Sequence, residues 1–286
     1  MRSAATLQRD RGPVPRDTPP LIGFFDSGIG GLAVLTEVAR RLPRHRLLYF
    51  ADAAHFPYGD RTDAEIIERS HHAARFLSDA GAEAIVVACN TASTLALTSL
   101  RRTFAQPFIG VVPAVKPAAR LSRAGRIAIL ATEGTLRSRA FDDLVESFAA
   151  NIEVIRLPAS GLADQVECGA LAAPDTLDLL ERCLAPAWEQ RADVLVLGCT
   201  HYSFLRPSIE RLMGPAVTVL DCAEAVARQV VRVTAPWSAT PPTDRSCQAE
   251  FITSGEPRQL LETLARLQAA GATLPLGPVH HNQAII

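Results

Sequence analysis

Cys89 and Cys199 stand out because their surroundings repeat, VVACNTAS about the first and LGCTHYSF about the second. In each, an apolar run that reads as a buried strand ends at the cysteine, and polar residues follow at once, Asn90-Thr91 and Thr200-His201. A lone cysteine after a strand is usually a small buried hydrophobe. Two at matching strand-to-helix steps point to chemistry. The free N–H groups of a helix start can bind a carboxylate, and they can lower a thiol pKa from about 8.5 by several units. Further candidates sit at similar steps. Asp26 and Ser27 close the run LIGFF, and Pro57-Tyr58-Gly59-Asp60 reads as a turn whose Tyr58 and Gly59 backbone groups can hold a carboxylate. Thr132 and Thr135 are placed to cap a helix starting near Leu136, and Glu167 ends a short helix, where a glutamate is ordinarily just solvated.

The elements that must position these residues are legible as apolar runs alternating with helix-period segments. LIGFF, LLYFA, AIVVA, FIGVV, RIAIL, VIRLP, VLVLG and VTVLD read as strands of parallel α/β sheets. Leu32, Leu35, Val38 and Leu42 mark one amphipathic helix, and Ile66, Ile67, Ala74 and Leu77 mark another. The strands fall into two sets of four. Asp26 precedes Cys89 by 63 positions and Thr132 precedes Cys199 by 67, so the halves read as duplicates. Ligands of open parallel sheets bind outside the carboxyl ends of the strands, so two pseudo-symmetric halves closing on each other would oppose the two thiols across a cleft. The expected organisation is an extension at 1–20, a first α/β domain of 21–115 plus 228–270, a second of 116–227, and a tail at 271–286. Residues 234–248 read as a surface connection, followed by a short strand near FITS and a helix from Arg258 to about Ala270.

With 286 residues, 48% of them hydrophobic, and a formal net charge of −1, the chain has ample core and no charge excess to attract nucleic acid or an anionic membrane. No apolar run approaches the roughly 20 residues of a membrane span, so a cytoplasmic protein is expected. The six cysteines include no CxxC pair, and free thiols are the default. Cys199 and His201 supply only two ligands where zinc needs three or four, so no metal is expected. A rival reading comes from Gly28-Ile29-Gly30-Gly31-Leu32-Ala33, which fits a dinucleotide-binding turn, with Asp52 about 20 residues on in the ribose-binding place. Against it, Asp26 would stand beside the pyrophosphate and both cysteine motifs would be left without a role.

From about Ile22 to Leu267 the chain resembles the glutamate racemases of the aspartate/glutamate racemase family, through FFDSGIGGLAVL, PYG, VVACNTAS, GVVPAVKPA, ATEGT and LGCTHYSFL in that order. It departs from many members at Ala53-Ala54 and in the VECG stretch. The resemblance implies that Cys89 and Cys199 are the acid/base pair of a racemase that interconverts L- and D-glutamate for peptidoglycan synthesis. Asp26 would support Cys89, with Glu167 and His201 supporting Cys199. Asp26, Ser27, Tyr58, Gly59, Asn90, Thr91, Thr132, Thr135, Thr200 and His201 would contact substrate. It further implies no pyridoxal phosphate or other cofactor, and a homodimer. Two-cysteine racemases of aspartate or hydantoins are the enzymatic alternative, and binding to DNA gyrase, reported for some members, is a non-catalytic one.

Overall fold

The computed structural model describes residues 19–236 and 249–281. The expected extension at 1–20 lies outside them apart from its last two residues, as do most of the 234–248 connection, with Cys247, and residues 282–286 of the expected tail. The chain opens with β1 (Leu21–Asp26), α1 (Leu32–Arg41), β2 (Arg46–Ala51), α2 (Asp63–Asp79), β3 (Ala84–Val87), α3 (Asn90–Thr103) and β4 (Phe108–Gly110). It then runs through α4 (Val115–Leu121), β5 (Arg126–Ala131), α5 (Glu133–Arg137), α6 (Arg139–Phe148), β6 (Glu153–Pro158), α7 (Leu162–Glu167), α8 (Pro174–Glu189), β7 (Val194–Leu197), α9 (Arg206–Met213) and β8 (Thr218–Leu220). After these come α10 (Ala223–Thr234), β9 (Ala249–Thr253), α11 (Pro257–Ala269) and β10 (Leu276–His281).

Every strand pair is parallel. One sheet has the order β10-β9-β2-β1-β3-β4 and the other β6-β5-β7-β8. The stretch β2-β1-β3-β4 therefore repeats the order β6-β5-β7-β8, and the duplication read from spacing is present in the topology. In each half the chain lays its second strand on one side of the first and its third on the other. That reversal opens a crevice at the carboxyl ends of β1 and β3, and of β5 and β7. β1, β3 and β7 are buried at every residue, which is why they read as unbroken apolar runs, whereas the edge strand β6 alternates.

One correction concerns the tail. Residues 276–281 add β10 to the edge of the larger sheet. The local pattern conceals this strand, because Gly277 and Pro278 lie in it and its register shifts between Leu276 and Val279; proline is admitted because β10 is an edge strand. The helix expected near Leu136 begins earlier, at Glu133, with Thr132 as its cap.

The two halves are fused through a core that runs from Ile22, Phe24 and Val86 of the larger sheet to Leu130, Leu195 and Leu197 of the smaller, with Leu35, Val38, Val226 and Val230 of α1 and α10 packed between. Separate apolar clusters cover the outer faces. Among the described residues no helix is long and apolar enough to cross a membrane.

A buried charge pair braces the carboxyl edge of the larger sheet. Thr62 and Glu65 form a capping box that starts α2, and Arg69 lies on that helix's buried face among Ile66, Ala73 and Leu77. Its Nε and Nη2 donate to both oxygens of Asp52 at 3.0 and 2.8 Å, while the Tyr58 and Ser254 hydroxyls donate to the same carboxylate at 2.7 and 2.8 Å. Burial opposes ionisation of Asp52, but the hydrogen bonds from Arg69 and Tyr58 and the guanidinium charge outweigh it and hold the carboxyl below its ordinary value. Asp52→Ala removes the carboxylate on which Arg69, Tyr58 and Ser254 converge and is expected to cost about 3–5 kcal/mol at neutral pH. Because the folded value is depressed, this contribution is fully present above the unfolded value of about 3.9 and is lost as the pH falls through the lower folded value. Urea unfolding from pH 7 to pH 3 should show a gap between variant and wild type that closes only at the acid end. A gap independent of pH would refute the ion-pair account.

Candidate active site

Cys89 and Cys199 occupy equivalent places, directly after β3 and β7, and each is the first flanking residue of the helical segment that follows. Ser27, Phe56, Pro57, Tyr58, Gly59, Cys89, Asn90, Thr91 and Thr132 line one cavity together with Ala163, Cys199, Thr200 and His201. The open space between these side chains is small, about 20 Å³, roughly the room of one water. Ten of the residues singled out in the sequence therefore meet in one pocket, drawn from both halves of the chain. Asp26, Glu167 and Thr135 stand one layer behind it.

Each thiol has a different support. Cys89 Sγ lies 3.9 Å from the Ser27 hydroxyl, and Asp26 Oδ1 accepts from the Ser27 N–H at 2.7 Å. Burial pushes the Cys89 thiol well up, and the neighbouring charge of Asp26 adds to the effect. Asp26 is fully buried, and that burial raises its own carboxyl despite the Gly31 and Ser27 N–H donors. A carboxyl raised on folding is destabilising when ionised at neutral pH, so the fold keeps Asp26 at a cost. On the other side, Cys199 Sγ is 3.7 Å from His201 Nδ1, and His201 Nε2 is 2.8 Å from Glu167 Oε1. Burial disfavours the imidazolium, but the hydrogen bonds to Cys199 and Glu167 outweigh it and raise His201 well above its ordinary value. The Phe56 ring covers His201, with centroids 5.4 Å apart.

The glycine-rich turn serves this network. The Gly31 N–H donates to Asp26 Oδ2 at 2.5 Å, and the Ile29 N–H donates to Glu167 Oε1 at 2.7 Å. Donors that would cradle a pyrophosphate in the rival reading are thus occupied by the protein's own carboxylates. Asp52, its ribose-binding candidate, is engaged by Arg69, Tyr58 and Ser254. A Cβ at Gly28 would overlap the Glu167 carboxylate, and one at Gly30 would overlap the His201 ring. The glycines let the two halves approach each other.

Substrate-shaped demand shows most clearly at Asn90. Its amide nitrogen and oxygen are both buried and have no hydrogen-bond partner, and it lines the cavity. A buried amide without partners is costly, so a ligand with both acceptor and donor groups is the natural complement. Nearby, the Thr91, Thr132 and Thr135 hydroxyls form a cluster at 3.0–3.4 Å that joins the halves across the pocket, and Thr132 also caps α5. Thr200 reaches back to Asp26 at 3.4 Å. Sequence reasoning missed Phe56 and Ala163 as lining residues. Phe56 could have been found from its place beside the PYG turn; Ala163 carries no signal. It also missed Arg69 as the partner of Asp52, although a lone arginine on the apolar stripe of α2 is a readable anomaly. Among the described residues no three His, Cys, Asp or Glu side chains are grouped to hold a metal ion, and the five described cysteines are free thiols.

The model of the Asp/Glu/hydantoin racemase family matches residues 31–230. A glutamate racemase of Pseudomonas aeruginosa PAO1 is 48% identical over 213 residues, 74% of this chain and 80% of that protein. Among solved structures, Escherichia coli glutamate racemase in complex with L-glutamate and the activator UDP-MurNAc-Ala superposes with a TM-score of 0.80 at 30% identity, covering 92% of this chain and 98% of that one. The Thermus thermophilus glutamate racemase, in complex with β-chloro-D-alanine, gives 0.77 at 32% identity over 95% of this chain and all of the other. With matches of this extent, the chain belongs to the Asp/Glu/hydantoin racemase family.

Proposed function

We propose that the protein interconverts L- and D-glutamate, with Cys89 and Cys199 as the two acid/base groups and no cofactor. The observation that carries this is the placement of two buried thiols at equivalent strand ends of a duplicated fold, lining one cavity. Inverting a carbon centre needs a base on one face and an acid on the other, since a single group would tend to return the proton to the face it came from. The choice of glutamate is supported by the names of the relatives and by the L-glutamate bound in the Escherichia coli structure. A homodimer and a role for the D-glutamate in peptidoglycan synthesis belong to the same reading through the resemblance.

The α-proton is very weakly acidic, so negative charge developing on the substrate carboxylate must be stabilised. Asn90 and Thr91, which open α3, and Thr200 and His201, which open the 200–205 turn, line the cavity and supply amide, hydroxyl and imidazole groups that can do this. General acid–base catalysis contributes about 10²–10⁴ in rate, and electrostatic preorganisation must supply most of the rest. His201 Nδ1 stands beside the Cys199 sulfur and is backed by Glu167, while burial favours the thiol form of Cys89. The two sulfurs thus have unlike surroundings, an imidazole at Cys199 and the Ser27 hydroxyl at Cys89.

Circular dichroism of L-glutamate incubated with reduced enzyme is expected to decay to zero, with L-aspartate unchanged. The same preparation should give no calorimetric isotherm with NAD, NADP or FAD. A micromolar dissociation constant for any of these would revive the nucleotide reading, and loss of signal from aspartate alone would reassign the substrate. For the faces, we assign proton removal from L-glutamate to Cys199 and from D-glutamate to Cys89. Serine is a much poorer base than thiolate, so Cys199→Ser should show the larger α-deuterium effect starting from L-glutamate, and Cys89→Ser starting from D-glutamate. Equal effects in both directions for both variants would refute the assignment.

A further inference from the structure

The duplicated plan accounts for four strands in each half, yet the chain continues. α10 packs against α1 of the first half, and β9 and β10, joined by α11, widen the larger sheet beyond its repeated strands. The family model ends at residue 230, ahead of all three of these last elements. Two buried hydroxyls of this return segment reach the layer directly behind the pocket. Ser254, just after β9, donates to Asp52 Oδ1 at 2.8 Å and accepts from the Ala54 N–H at 3.1 Å. Asp52 in turn accepts from the Tyr58 hydroxyl at 2.7 Å, so Ser254 steadies the turn that carries Tyr58 and Gly59 into the cavity. A hydroxyl suits the place because it donates and accepts at once.

Thr263 does the corresponding work on the opposite side. From α11 its hydroxyl donates to the Glu167 carbonyl at 2.8 Å, and Arg266 Nη1 donates to the Cys168 carbonyl at 3.0 Å. Carbonyls at a helix C-terminus have no partner within the helix, and these two end α7. Glu167 is the residue whose carboxylate gathers both His201 Nε2 and the Ile29 N–H. We propose that Ser254 and Thr263 are positioning residues, one for each side of the site: Ser254 sets the Tyr58–Gly59 wall that receives substrate, and Thr263 sets the Glu167–His201 pair behind Cys199. The kinetic part of this assignment rests on the racemase reading.

The two sides should respond differently. The wall holds substrate and transition state alike, so Ser254→Ala is expected to raise KM about five- to tenfold, the worth of one net hydrogen bond, with kcat within about twofold. His201 acts on the proton transfer, so Thr263→Val is expected to lower kcat about five- to tenfold with KM within about twofold. Ser254→Thr and Thr263→Ser, which keep the hydroxyl, should restore the wild-type constants. A purely structural role would lower the melting temperature and leave both constants unchanged below it, and that result would overturn the proposal. Amide exchange without substrate separates this inference from the racemase reading. Ser254→Ala should accelerate exchange in residues 53–60 and not in 200–205, and Thr263→Val should do the reverse. Segment-specific exchange in a wild type that racemises nothing would overturn the racemase reading and support the positioning roles. Uniform exchange in both variants would overturn the positioning roles whatever the wild type does.

Discussion

Cys89→Ala and Cys199→Ala are each expected to lower glutamate racemisation by about 10²–10⁴-fold or more, the range supplied by a positioned acid or base. Each change removes one buried sulfur from a packed site and leaves the strand and helix on either side intact, so far-ultraviolet dichroism should be unchanged. On the two-base proposal the thiols act as one device, so the double variant should be little worse than either single one. Alkylation or peroxide should likewise inactivate the wild type, with glutamate protecting, since both thiols line the cavity proposed to receive substrate. Near-normal turnover by either alanine variant would end the two-base account. Inactivation without protection would place the reactive thiol outside the cavity, where Cys168 is exposed.

Asn90→Leu should separate stability from function. The asparagine amide is buried without a partner, and each such atom costs about 1–3 kcal/mol relative to a satisfied one. Leucine has nearly the same shape and nothing to satisfy. The ligand-free variant is therefore expected to unfold about 1–3 kcal/mol less readily than wild type in urea. On the proposed function, removing the amide leaves a polar group of the substrate unpaired, and kcat/KM should fall by about 10²-fold or more. Glutamate should raise the melting temperature of the wild type and leave that of the variant unmoved. A variant that is less stable yet fully active would show that the amide serves the fold instead.

Much of the site was readable because its residues sit at strand ends, and strand ends are where local pattern is strongest. The runs before Cys89 and Cys199 are apolar without alternation because β3 and β7 are covered on both faces. The same is true of β1, whose end carries Asp26. Regular spacing then revealed the duplication, which the strand orders repeat. Less was readable where an element owes its existence to a neighbour. β10 contains glycine and proline and forms because β9 offers it an open edge.

The sequence by itself determined most of the elements, the repeated strand pattern and the chemically capable residues, since hydrophobic periodicity and turn chemistry act over a few positions. Only the tertiary structure decided what the glycine-rich turn is for. Its local pattern suits a nucleotide equally well, and the choice is made by Glu167, 138 positions from Ile29, whose carboxylate occupies the turn's N–H group. In the same way, nothing near Asp52 in the chain marks it as structural. It becomes so when Arg69 and, 202 positions away, Ser254 close on it and leave no oxygen for a ribose. Such pairings are set by how the two halves and the returning segment dock. Docking is decided by the fit of whole buried surfaces, which no local window of sequence contains.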